Sequence, residues 1–132
     1  MDNFEQKKTH LHMLMEIAMA DRDFSQVEDL FLNRIAQVLN IPLEEVVHQE
    51  FDRNDLQLPR REFKLYGLFH RLVLMGLSDN HLHTAERKLL LDFGIRMGLN
   101  PSAILEVMDY CDEKGLAAIP KDIVRIFYKY NN

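Results

Sequence analysis

The feature that most constrains this chain is a self-similarity at a distance of 58 residues. The segment LHMLM at 11–15 aligns with FHRLV at 69–73, and the proline-containing stretch 40–42 aligns closely with 98–101. Two similar units that each expose an apolar face bury the most surface by packing against one another. The repeat therefore predicts two units related by a pseudo-twofold axis. Chance matching of apolar residues is the alternative.

Apolar residues recur at spacings of three and four throughout both copies, which is the periodicity of an amphipathic helix. This pattern predicts an all-α fold, a single domain over residues 1–132 built as a bundle of about seven helices. We expect three helices in a first repeat unit at about 4–52 and three in a second at about 60–115. A C-terminal helix should follow at about 120–130.

Local signals refine this expectation for individual helices. Pro42 suits the first turn of the third helix, which is expected to carry Phe51 near its end. The fifth helix, beginning near Thr84, is apolar nearly all round and is predicted to lie at the centre of the bundle. Gly115 is predicted to end the sixth helix in a left-handed conformation.

Composition places the chain among folded globular proteins. Hydrophobic residues make up 47% and charged residues 28% of its 132 residues, and the formal net charge is −5. An acidic balance argues against nucleic acid and anionic lipid as partners. No apolar run approaches the length that crosses a membrane, so no membrane insertion is expected. The lone Cys111 and the absence of a signal-peptide pattern predict a cytoplasmic location.

Each unit carries an aspartate in the connector after its first helix and a glutamate seven positions later. The first copy reads ADRDFSQVE from Ala20 to Glu28, and the second reads SDNHLHTAE from Ser78 to Glu86. This duplicated pattern resembles the TerB-like tellurite-resistance family over about residues 5–110. The chain departs from that family at Arg22 and Asn80, where members commonly have glycine. It also has His83 where a Ser, Thr or Asp cap is usual.

The resemblance implies a compact helical bundle of two repeats, a bacterial stress context and acidic residues that bind a metal ion. It implies no established enzymatic activity. The residues themselves offer a reason for a divalent cation, because Asp21 and Asp23 follow a helix C-terminus whose carbonyls already carry partial negative charge. The alternative is that the aspartates satisfy turn backbone groups and that Glu28 and Glu86 complete capping boxes.

Two histidines add nitrogen donors to the second connector. His81 and His83 lie between Asp79 and Glu86, and mixed nitrogen and oxygen donors suit zinc, nickel or copper. The connector is not an EF-hand loop, because the required glycine and the twelfth-position glutamate are missing. The candidate metal ligands are Asp21, Asp23, Glu28, Asp79, His81, His83 and Glu86.

Catalytic motifs are absent from the sequence. There is no Gly-rich phosphate loop and no strand-turn-helix to hold a nucleophile, and Cys111 lies on an apolar stripe typical of a buried, inert thiol. A basic cluster of Arg60, Arg61 and Lys64 opens the fourth helix and is a candidate protein-binding patch.

The sequence therefore predicts a non-enzymatic TerB-like module that binds a divalent cation, a protein partner or both. A purely structural protein–protein adaptor that binds no ion is the main alternative. A metal-dependent hydrolase is the third interpretation, and it requires the two acidic connectors to meet in one cleft.

Overall fold

The computed structural model describes residues 3–20, 26–77 and 81–131. Within those ranges the chain forms seven α-helices, one 3₁₀ turn at Gly115–Ala117 and no strand, which confirms the all-α prediction. The helices are α1 Phe4–Ala18, α2 Gln26–Leu39, α3 Leu43–Val47, α4 Glu62–Gly76, α5 Thr84–Arg96, α6 Pro101–Lys114 and α7 Pro120–Lys129.

The first helices of the two predicted units, α1 and α4, form the centre of the bundle. Helix α1 packs against α2, α3, α4 and α5, and α4 packs against α1, α5, α6 and α7. Near their first residues, Gln6 Nε2 donates to the carbonyl of Leu58 at 3.0 Å. Near their last residues, Ile17 Cγ2 lies 3.6 Å from the position that a Cβ atom would take on Gly76. The two helices therefore run side by side in the same direction.

Two finer expectations were wrong. Helix α5 is not central, because Lys88, Asp92 and Arg96 give it a polar face and Ile95 is 51% exposed. Helix α3 ends at Val47, so Phe51 lies beyond it and stacks on the ring of His12 with centroids 5.1 Å apart. Phe51 therefore packs against the core from a segment that is not helical, although its sequence spacing fits a helix.

The second helix of each predicted unit ends in the same way. Asn40 after α2 and Gly98 after α5 are 58 positions apart and have φ of 57° and 82°. The next residue donates its N–H back to the carbonyl of Ala36 in one copy and Gly94 in the other, at 3.0 Å in both. This is the Schellman arrangement. The units differ at their third helix, which has 5 residues in α3 and 14 in α6.

Three glycines inside helices have different surroundings. A Cβ atom on Gly94 would lie 2.5 Å from Ile104 Cδ1 and 3.2 Å from the ring of Phe69, so α5 and α6 approach each other only because this position lacks a side chain. A Cβ atom on Gly76 would lie 2.8 Å from Leu82 Cδ2. A Cβ atom on Gly67 would meet nothing within 4 Å, so packing against the fold does not explain this glycine.

Alanine at Gly67 and alanine at Gly94 should therefore change the free energy of unfolding in opposite directions. Gly67→Ala should raise the free energy of unfolding by about 0.5–1 kcal/mol, because alanine loses less backbone entropy in a helix. Gly94→Ala should lower it by about 1–3 kcal/mol through overpacking against Ile104. Urea unfolding followed by circular dichroism measures both. Equal effects of the two substitutions would contradict this description of the packing.

Candidate functional site

Three helix ends meet where the two acidic connectors begin. The Cβ position of Gly76, the last residue of α4, lies 3.6 Å from Ile17 in the last turn of α1. It lies 3.8 Å from Glu86 Cβ in the first turn of α5. Both connectors therefore leave the central helix pair at the same end of the molecule. The candidate ligands Asp21, Asp23 and Asp79 lie outside the described residues.

The two glutamates of the repeated motif are buried. Glu28 is 3% exposed and Glu86 is 1% exposed, and they are the two buried carboxylates of the described residues. Glu86 Oε1 accepts the backbone N–H of His83 at 2.8 Å, which is the glutamate's contact in a capping box. For Glu86 this favours the capping interpretation. The predicted capping partner of Glu28, Ser25, lies outside the described residues.

The two histidines of the second connector lie close together but face an ion-paired surface of α6. Their rings are edge to face with centroids 5.2 Å apart, and His81 Nδ1 lies 3.8 Å from Asp112 Oδ1. The same Asp112 oxygen accepts the N–H of Leu82 at 3.2 Å, and Arg87 lies 3.8 Å from the other oxygen. Asp112 thus holds the connector against α6.

The described candidate ligands do not by themselves make a metal centre. Within 3–20, 26–77 and 81–131, no group of three or more His, Cys, Asp or Glu side chains converges on one point.

The electrostatic character of this end follows from its helix termini. The final carbonyls of a helix have no partner within the helix and carry partial negative charge. Neither α1 nor α4 has a basic residue in its last turn to offset that charge. Two such termini lie side by side here, and the N-terminus of α5 beside them carries partial positive charge.

His12 and His70 occupy equivalent repeat positions, and the structure separates them. His12 stacks on Phe51, whereas His70 lines a cavity between α1, α4 and α7. The Nε2 atoms of both are buried with no hydrogen-bond partner among the described residues. Burial lowers the pKa of both imidazoles, and the positive charges of Lys8 beside His12 and Arg71 beside His70 lower it further.

Low pH should therefore lower the free energy of unfolding of this protein through His12 and His70. Since the folded pKa values lie below the unfolded value near 6.5, the unfolded chain binds more protons as the pH falls through that value. The free energy of unfolding should drop by up to about 1.4 kcal/mol per pH unit for each histidine. His70→Gln should flatten the pH dependence measured by urea unfolding, and substitution of the exposed His48 by Gln should not. An unchanged slope in His70→Gln would contradict the assignment.

The three residues of the basic cluster differ in how exposed they are. Arg60 and Arg61 are exposed and make no ion pair with any described residue, and Lys64 is half-buried in the first turn of α4. All three line a groove that also contains Asn3 and Gln6 at the start of α1. Sequence reasoning missed the neighbouring cavity, for which the only signal was Gly67 inside an apolar helix.

Two further observations concern the reactivity of the Cys111 thiol and the ability of the helices to cross a membrane. The Cys111 thiol is fully buried, and burial raises its pKa to about 12, so it is not a nucleophile at neutral pH. Among the helices that the structure describes, none combines the length and the apolar character needed to cross a bilayer.

Comparison with known proteins gives one match. Residues 2–52 match the family model described as Tellurite resistance protein TerB, a range that holds α1, α2, α3 and the first acidic connector. No curated protein and no solved structure matches the sequence. The expected resemblance reached to about residue 110, and the family match covers its first unit. The similarity to the TerB family is therefore found in residues 2–52, which are less than half of the chain.

Proposed function

We propose that this chain is a non-enzymatic TerB-like module that binds a divalent cation between its two acidic connectors. Asp21 and Asp23 would supply oxygen ligands from the first connector and Asp79 from the second. The observation that carries this proposal is the juxtaposition of the C-termini of α1 and α4, from which both connectors start. A cation there would face the partial negative charge of two helix ends that lack basic residues.

The buried glutamates have a supporting role in this proposal. Each sits in the first turn of the helix that follows a connector, and Glu86 accepts the backbone N–H of His83. As helix caps, Glu28 and Glu86 would fix the far ends of the connectors and hold the aspartates near the helix termini. Carboxylate ligands select hard cations such as calcium or magnesium, whereas participation of His81 and His83 would favour zinc or nickel.

Binding of an ion should raise the thermal stability of the protein. An ion at 100 times its dissociation constant adds about 2.7 kcal/mol to the native state. We expect chelator-stripped protein to melt at a higher temperature with one of calcium, magnesium, manganese, zinc or nickel, and the double variant Asp21→Asn/Asp79→Asn to lose that shift. Calorimetric titration then gives the stoichiometry.

The matched control is Glu44→Gln/Glu45→Gln, which removes two exposed carboxylates from α3 and should leave the ion-dependent shift intact. Loss of a zinc or nickel shift in His81→Gln/His83→Gln, with the aspartate variant unaffected, would move the site to the histidines. Absence of a shift with all five ions would refute ion binding and leave the aspartates as turn residues.

A protein-binding adaptor is the second candidate function. It is favoured by the exposure of Arg60 and Arg61, which form no ion pair with a described residue and flank a groove at the start of α4. An acidic partner would supply the missing counter-charges.

Charge reversal distinguishes the adaptor from the ion-binding module. Arg60→Glu/Arg61→Glu should abolish capture of an acidic partner and leave any ion-dependent melting shift unchanged. The double variant Lys121→Glu/Arg125→Glu on α7 makes the same change of charge elsewhere and should have no effect on capture. Retained capture by Arg60→Glu/Arg61→Glu in a pull-down would rule out this patch as the docking surface.

A further inference from the structure

A cavity of about 320 Å³ opens between α1, α4, α7 and the segment that precedes α4. Its walls are mostly apolar and include Phe63, Ile123 and Val124. This volume is at the lower end of the range of small-molecule sites, about 300–1,000 Å³. The cavity is separate from the connector end of the bundle, because its lining belongs to the first half of α1 and the first two-thirds of α4.

Gly67 forms part of the cavity wall. It lies in the interior of α4, where glycine costs about 1 kcal/mol relative to alanine. At Gly76 and Gly94 a Cβ atom would lie within 3 Å of a neighbouring side chain, but at Gly67 nothing lies within 4 Å of that position. The missing side chain leaves a notch in the surface of α4, and this notch forms part of the cavity wall.

Two cations flank the notch. Lys64 and Arg71 lie three residues before and four residues after Gly67, so all three share one face of the helix. Both cations line the cavity, and Arg71 makes no ion pair with any described residue. The remaining polar wall includes His70, whose Nε2 is buried without a hydrogen-bond partner among the described residues.

The other polar groups at this site serve the fold. Gln6 donates to Leu58 O and accepts from the N–H of Asn3, and the Tyr66 hydroxyl accepts from Asn131 Nδ2 at 2.7 Å. The nearest acid on α4, Glu62, lies 3.4 Å from that hydroxyl. Lys64 and Arg71 line this apolar cavity, and no carboxylate is among the described residues of its wall, in a chain whose formal net charge is −5.

We propose that this cavity binds a small organic anion, an aromatic or aliphatic carboxylate whose apolar body fills the space over Gly67 and whose carboxylate lies between Lys64 and Arg71. The apolar walls supply burial of the body, and the two cations supply charge-assisted contacts to the head group. This inference is independent of the cation site proposed for the connectors, which lies at the other end of α1 and α4.

The test uses 2-naphthoate and its uncharged analogue 2-naphthylmethanol, titrated into the full chain by calorimetry. We expect one naphthoate per chain, bound about tenfold more tightly than the alcohol, which corresponds to about 1.4 kcal/mol. Arg71→Glu should weaken naphthoate binding about tenfold and leave binding of the alcohol unchanged. Lys88→Glu on α5 makes the same change of charge outside the cavity and should alter neither affinity.

A large side chain at position 67 tests whether the ligand occupies the notch. Gly67→Leu should abolish binding of both compounds, and circular dichroism establishes that this variant remains helical. Amide chemical-shift changes in the unmodified protein should cluster on α4 and α7, so the location is tested even if Gly67→Leu does not fold. Equal affinities for the acid and the alcohol, shift changes elsewhere, or no binding at millimolar concentrations would each overturn the proposal.

Discussion

The parallel packing of α1 against α4 is the contact on which the rest of the structure depends. Leu11, Leu14, Phe69 and Leu72 on these helices are fully buried. Every other helix packs against at least one of the two: α2 and α3 against α1, α6 and α7 against α4, and α5 against both. A side-by-side arrangement in the same direction requires long connections, because the chain must return before it can start the second helix. Helices α2 and α3 lie in the connection that returns the chain from the end of α1 to the start of α4.

This packing also separates two chemically different regions. At the C-terminal ends of α1 and α4, two helix termini with partial negative charge lie beside the starts of the two acidic connectors. Toward the N-terminal ends, Lys64 and Arg71 border an apolar cavity. A cation at one end and an organic anion at the other would therefore contact the same helix pair.

Much of the fold could be predicted from the spacing of apolar residues and from the residues that begin and end helices. Proline, glycine and asparagine mark real boundaries: Asn100 accepts from the N–H of Ser102 at 2.8 Å and caps α6, and Gly115 ends that helix at a φ of 57°. Hydrophobicity alone misplaced α5 at the centre, because burial depends on which faces find partners and not on the number of apolar residues. Phe51 was wrongly assigned to α3, because its spacing continues the helical pattern although the helix ends at Val47.

The sequence by itself determined the helical class, most helix boundaries and the duplicated acidic motif, because these depend on short-range spacing and on backbone preferences of single residues. Only the tertiary structure decided that His12 and His70 lie apart, that Glu86 is buried and caps α5, and that Gly67 opens onto a cavity. Those facts depend on which residues distant in the chain become neighbours. A glycine that permits close packing and a glycine that leaves a notch are the same letter in the sequence, and only the surrounding atoms distinguish them.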